Sequence, residues 1–335
     1  MMFKRKLCLI IIILVSSCFP SLSNAQTEVL LTQHWQMPTL LNPAATGDID
    51  FIRIGGATRL QFLGSAGSPK NFMGSVDAPF RIGEKRIGAG VMVESSSFDL
   101  FENIILGAQG SYKFNLKRGK LSIGLQLGYF HTKFKGSELR ESLPENSIPE
   151  EKREGEEDNA FPISDLKGGK FDFSLGLRYD SKNFYLGVSG LHLTNSLVRL
   201  KENEENSNDY RFVESKLPAT FYLDTGGNID LKNTLFTLQP SLLLATDFRD
   251  FNALVEMRAT YNQKFTFGID YRYNRAAGFL AGVMLKDFYI GYSWEYDYSF
   301  KPKGSTGNHE LVLGYRLKMN MERKKVYTRK SIRIM

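Results

Sequence analysis

Lys120-Leu-Ser-Ile-Gly-Leu-Gln-Leu-Gly-Tyr129 alternates one apolar residue with one small or polar residue along its length. Successive side chains of a β-strand point to opposite faces. Leu121, Ile123, Leu125, Leu127 and Tyr129 therefore share one face, and Ser122, Gly124, Gln126 and Gly128 share the other. The pattern returns in Phe171-Asp-Phe-Ser-Leu-Gly-Leu-Arg-Tyr-Asp180 and in Lys264-Phe-Thr-Phe-Gly-Ile-Asp-Tyr-Arg-Tyr273, with Asp172, Arg178, Asp270 and Arg272 on the polar face. A β-sandwich core would accept those charges poorly, whereas a membrane barrel turns its apolar face to lipid and its polar face to the lumen. The chain is thus predicted to be all-β, a transmembrane antiparallel β-barrel located in an outer membrane.

Turn residues divide the chain into fourteen predicted strands, near 52–63, 69–78, 86–95, 102–115, 120–134, 171–180, 183–195, 217–230, 233–247, 251–261, 264–273, 277–286, 288–300 and 309–318. An even number suits a single-chain bacterial barrel. With the first strand rising from the periplasm, the two long acidic insertions, 135–170 and 196–216, fall outside as long extracellular loops. Connections such as Lys117-Arg118-Gly119 and Ser181-Lys182 fall inside. Long outside and short inside is the barrel rule. The Glu-rich stretch Glu150–Asp158 lacks apolar residues and reads as a solvated loop. Aromatics near strand ends, among them Tyr129, Tyr271, Tyr273, Tyr296, Tyr298 and Phe300, fit interfacial girdles and also fit plain β-propensity.

The N-terminus reads as a signal peptide over residues 1–25: Lys4, Arg5 and Lys6, then the apolar run Leu7 to Val15, then Ser23-Asn24-Ala25. A competing reading makes Cys18 the lipid-bearing first residue of a lipoprotein. With cleavage after Ala25, Cys8 and Cys18 are both lost, which excludes disulfides and thiolate chemistry. The division expected is 1–25 signal peptide, 26–51 N-terminal periplasmic or plug-like segment, 52–318 barrel, and 319–335 basic periplasmic tail. Of the formal charge of +7, the signal segment carries +3 and residues 318–335 carry +6, leaving the body at −2. A basic tail on a nearly neutral body argues against a nucleic-acid surface and for contact with something anionic, such as membrane lipid or a partner beneath the barrel. Arg323, Lys324, Lys325, Arg329, Lys330 and Arg333 would supply that contact.

Signs of chemistry are sparse. His34, His131, His192 and His309 are far apart, and none has Cys, Asp or Glu at metal-ligand spacing. Phosphate loops, zinc-protease helices and nucleophile elbows do not occur. Ser189 and His192, the remaining nucleophile–base pair, are expected on opposite faces of one strand. Glu256 with Arg258, Asp270 with Arg272, and Glu295 with Asp297 share faces and predict a hydrated, charge-balanced lumen. The chain reads as a non-enzyme without cofactor or metal.

Between the signal peptide and the first strands lies Gln33-His-Trp-Gln-Met-Pro-Thr-Leu-Leu-Asn42-Pro43-Ala44-Ala45-Thr46-Gly47. Arg59-Leu-Gln61-Phe62, Gly67-Ser68-Pro69 and Ser75-Val-Asp77-Ala-Pro79-Phe80 follow, and the last strand reads Gly307-Asn-His309-Glu310-Leu-Val-Leu-Gly-Tyr315. This ordered set resembles the PorP/SprF family of Bacteroidota outer-membrane proteins, with Phe62 where the family usually has Trp. The resemblance implies a component of the type IX secretion system. It implies a role in secreting or anchoring cargo that carries a C-terminal sorting domain, often large adhesins linked to gliding, and contact with periplasmic ring components. Asn42, Pro43, Gly47, Arg59, Gln61, Pro69, Asp77, Pro79, His309 and Glu310 carry the resemblance and are the candidate partner or structural positions. Pro43 restricts Asn42 to extended geometry, so Asn42-Pro43 is expected as a turn before the first strand. The polar lumen equally allows an outer-membrane transport channel for small solutes or lipophilic ligands.

Overall fold

The computed structural model describes residues 30–83, 85–142, 164–201 and 213–319. The signal peptide with both cysteines, the acidic stretch 150–158 and the basic cluster Arg323–Arg333 lie outside the described residues. Among the described residues seventeen strands run in chain order: β1 (Phe51–Leu60), β2 (Lys70–Ile82), β3 (Lys85–Phe98), β4 (Phe101–Leu116), β5 (Gly119–Phe134), β6 (Leu166–Asp180), β7 (Phe184–Leu191), β8 (Leu197–Leu200), β9 (Val213–Lys216), β10 (Thr220–Gly227), β11 (Ile229–Asp230), β12 (Phe236–Thr246), β13 (Phe251–Tyr261), β14 (Phe265–Arg272), β15 (Ala276–Leu285), β16 (Phe288–Asp297) and β17 (Asn308–Lys318).

All except β8, β9 and β11 form one closed antiparallel cylinder of fourteen strands. β1 pairs with β2 on one side and β17 on the other, and β10 bridges β7 and β12. The fourteen predicted strands are these fourteen, with ends shifted by a few residues. β8 and β9 form a separate hairpin within the second long insertion, joined to β6 by a bridge between Lys167 and Lys201. A short helix, Gly136–Ser142, opens the first insertion. Among the described residues no helix is long and apolar enough to cross a membrane; the crossing is made by strands.

Burial follows the alternation in the sense a lipid environment demands. Leu125 on β5 is 44% exposed, whereas its neighbour Gln126 is 2% exposed. Asp172, Arg178, Asp270 and Arg272 are buried, while Phe173, Leu175, Ile269 and Tyr271 stand outward. Apolar side chains out and charged side chains in is the reverse of a water-soluble protein and the rule for an outer-membrane barrel. Tight turns such as Lys286-Asp287 close one end and the long insertions leave from the other, so the tight-turn end faces the periplasm.

One predicted strand ends early. β7 stops at Leu191 because His192 takes a left-handed backbone, φ 54°, and turns the chain inward. The alternation that would have placed Ser189 and His192 on opposite faces is broken there, and both are buried.

Candidate functional site

Residues 30–48 do not sit beneath the barrel; they fill it. Three 3-10 turns, His34–Gln36, Pro38–Leu40 and Pro43–Ala45, carry the segment through the lumen, and nearly all of its residues are buried. Its contacts fix the direction. Leu30 packs with Leu243 and Leu254 near the outer ends of β12 and β13, and Asp48 pairs with Arg53 near the periplasmic start of β1. The described chain therefore begins in the outer half of the lumen and descends to the periplasmic mouth, where β1 begins.

The upper anchor is ionic. Both carboxylate oxygens of Glu310 on β17 accept backbone N–H groups, from Thr32 and Gln33, each at 2.8 Å. Arg59 on β1, the register partner of Glu310, donates to it at 3.1 Å and also pairs with Glu295 on β16. Arg272 on β14 donates to Glu295 at 2.9 Å and to the Leu30 carbonyl at 3.3 Å. Thr32 Oγ1 donates to Glu295 at 2.8 Å. Glu295 and Glu310 thus face two arginines and bond the segment's own N–H and O–H groups, with Asp270 on β14 beside them as a third buried acid. For Glu295 and Glu310 that is the condition under which buried charge is tolerated.

Toward the periplasmic end of β16, Trp35 packs edge-on against Tyr289 and beneath the Arg258 guanidinium, 4.1 Å from the ring centre. The predicted Glu256–Arg258 pair forms, at 2.9 Å. Arg272 turns instead to Glu295, and Asp297 caps the Ser299 and Phe300 N–H groups.

The lower anchor uses the Asn-Pro element. Asn42 is extended (φ −148°, ψ 110°), as the following proline requires, and its Oδ1 accepts from the Ala44 N–H at 2.9 Å. Its amide donates to the Leu177 carbonyl on β6. The turn lies within the lumen, several residues before β1. Gly47 adopts φ 60°, where a side chain would be strained, and donates to Asp77 at 2.7 Å. Asp77 also receives Arg53 Nε at 2.8 Å, and Gly47 lies against Ala78 and Pro79. Thr46 gives its carbonyl to Ser111 and Lys113 at 2.6 and 2.7 Å. Gln109 binds the Thr39 carbonyl at 2.8 Å and Gln126 at 2.7 Å.

The barrel wall is cut to this segment. A Cβ at Gly88, Gly124 or Gly176 would overlap Thr46, Pro43 with Ala44, or Asn42, respectively. On the sequence alone these glycines were merely small residues on the polar face.

The candidate partner or structural positions thus fall into four places. Asn42, Pro43, Gly47, Asp77 and Pro79 meet at the lower anchor, and Arg59 with Glu310 at the upper one. Gln61 and Pro69 close the β1–β2 loop through a backbone hydrogen bond of 3.0 Å. His309 faces outward, where Tyr292 and Thr306 flank its ring nitrogens at 2.7 and 3.1 Å. Glu295, Arg272, Arg53 and the glycine contacts were not singled out as site residues; the signal for the charged ones was a charge of each sign at inward-facing positions. Ser189 donates to the Leu41 carbonyl at 2.5 Å, and His192 Nδ1 lies 2.7 Å from Asp172, so each is held in a structural contact. Among the described residues no group of three or more His, Cys, Asp or Glu is placed to hold a metal.

A closed fourteen-stranded cylinder, apolar outside and ionic inside, defines an outer-membrane β-barrel. The profile of the family described as type IX secretion system membrane protein PorP/SprF matches residues 23–315, and the chain belongs to that family. No curated protein matches it. Among solved structures, the CymD monoaromatic hydrocarbon channel is 11% identical, with 86% of this chain and 94% of that chain covered and a TM-score of 0.49. The Ralstonia pickettii toluene transporter TbuX is 11% identical, with 84% and 93% covered and a TM-score of 0.47. A Pseudomonas aeruginosa FadL homologue is 14% identical, with 83% and 93% covered and a TM-score of 0.46.

Proposed function

We propose that this barrel is an accessory of type IX secretion that holds exported cargo, such as a large gliding adhesin with a C-terminal sorting domain, at the outer membrane and couples it to periplasmic ring components. One observation carries the reading: the lumen is occupied by residues 30–48, pinned at both ends and matched by the wall. Family membership supplies the secretion context, and a filled lumen favours a scaffold over a conduit. The basic residues Arg323, Lys324, Lys325, Arg329, Lys330 and Arg333 are the proposed periplasmic coupling element.

Planar-bilayer recording with native pull-down tests the reading. The wild-type barrel is expected to show no steady conductance and to co-purify with an exported protein. Steady conductance with solute preference, and no co-purifying cargo, would establish the channel instead. Deleting residues 323–335 should leave a heat-modifiable barrel in the outer membrane and abolish cargo display; normal display would remove the tail from the coupling role.

A further inference from the structure

Each of the six turns at the periplasmic end carries or directly adjoins a cation. Lys85 opens β3 directly after the β2–β3 turn, and Arg118 lies in the β4–β5 turn, Lys182 in β6–β7, Lys232 in β10–β12, Lys264 in β13–β14 and Lys286 in β15–β16. All six residues are exposed, and none has a side-chain ion-pair or hydrogen-bond partner among the described residues. Among the other charges at this end, Asp50 pairs with Arg86 at 2.6 Å and Asp180 with Arg178 at 2.9 Å, Asp230 accepts from Thr237 at 2.9 Å, and Arg81 and Lys117 are further exposed cations. Only Glu84 and Asp287 neighbour members of the set in sequence.

We propose that these six cations form a ring that binds anionic phospholipid headgroups of the inner leaflet. Two features of their placement select lipid. First, the cations adjoin outward apolar residues: Leu116 precedes Lys117-Arg118, Phe265 follows Lys264, and Leu285 precedes Lys286, all exposed on the outer wall. A lysine or arginine beside the edge of the hydrocarbon band extends its charge into the phosphate layer while its stem covers apolar surface. Second, the cations occur in or beside every turn round the whole circumference. A protein partner docks against one sector, whereas annular lipid meets all of them. The ring goes beyond the cargo-holding role and does not depend on it.

The test is native mass spectrometry of the full mature chain released from bilayers of equal phosphatidylcholine and phosphatidylglycerol. Retained lipid should be enriched in phosphatidylglycerol about tenfold, since each surface cation contributes a modest attraction and several act together. The enrichment should fall as salt rises, because phosphate-layer contacts are screened. At constant ionic strength, replacing chloride by inorganic phosphate should not displace the lipid. The variant K85Q/R118Q/K182Q/K232Q/K264Q/K286Q should lose the enrichment while remaining heat-modifiable.

Two half-ring variants, K85Q/R118Q/K182Q and K232Q/K264Q/K286Q, should each lose part of it, which keeps the test open if the sixfold variant does not fold. Equal retention of both lipids by wild type, or enrichment surviving in the sixfold variant, which keeps the basic tail, would overturn the ring. So would complete loss from one half-ring variant alone. A sixfold variant that keeps its lipid but loses cross-linking to a periplasmic protein would assign the rim to protein docking.

Discussion

Gly124, Leu125 and Gln126 are consecutive on β5, yet they meet different surroundings. Leu125 meets lipid, Gln126 meets another amide inside the barrel, and Gly124 lies against the Pro43–Ala44 backbone. The outer face is selected by a solvent, so any apolar residue of moderate size serves. The inner face is selected by one particular piece of chain, so identity and even volume are constrained. The same strand thus carries a tolerant surface and an exacting one, and substitutions on the two faces should fail for different reasons.

The largest effect is expected inside, at the ionic anchor. Arg59→Leu leaves Glu295 and Glu310 without a shared cation and should cost about 3–5 kcal/mol, the usual result of breaking a buried ion pair from one side. Urea unfolding of barrels refolded into liposomes would measure it. A loss equal to that of an exposed ion pair would mean that water fills the upper lumen and the segment is loosely held.

On the outer face, Leu125→Arg should cost about 2–4 kcal/mol near mid-bilayer. Leu125→Ile should be nearly silent. Equal unfolding curves for the two variants would show that this face is not against lipid. Gln126→Arg, which a hydrated lumen would accept, is expected to be harmful here because Gln126 is buried and bonded to Gln109.

A smaller effect is expected at Gly124→Ala, about 1–3 kcal/mol of overpacking from a single methyl group. Pairing it with deletion of residues 30–48 sharpens the test. If the segment is the cause, the alanine becomes harmless once the segment is gone; an unchanged penalty would place the strain within the strand ladder.

The smallest effect lies outside the membrane, where neither face rule applies. Asp165 accepts from Lys133 at 2.9 Å and from the Ser137 hydroxyl at 2.7 Å, and these bonds hold its carboxyl down to about 2. A depressed carboxyl favours the folded loop above its unfolded pKa, near 4, and the contribution is lost as pH falls through the folded value. Pepsin nicking near Ser137 should therefore rise on moving from about pH 4 to about pH 2, modestly, because the site is exposed. Asp165→Asn should flatten that step, and an unchanged step would assign it to another group.

The strands were legible because lipid on one side and a polar lumen on the other write a period of two into each segment, and fourteen such segments survive turn by turn. The lumen was not legible in the same way. Asn42-Pro43 announces a turn, but nothing local to it says that the turn lies between β5, β6 and β7, since those contacts join residues more than eighty positions apart. Gly88, Gly124 and Gly176 look alike on a polar face whether they border water or a packed backbone. His192 could end β7 because a left-handed residue at that point is decided by its Asp172 contact, which periodicity does not register. The β8–β9 hairpin hid in a loop whose composition is mostly polar.

The bonds from Glu310 to the Thr32 and Gln33 amides also set a constraint in time. The lumenal segment precedes every barrel strand and Glu310 lies on the strand that closes the barrel, so the two meet only once that closing strand has been made. Arg59 and Glu310 face each other across the joint where the first and last strands meet. Shutting the cylinder and making the upper anchor therefore draw on the same strand, while the lower anchor needs only earlier ones. A chain halted before Glu310 would lack its last stave together with the carboxylate that secures its beginning.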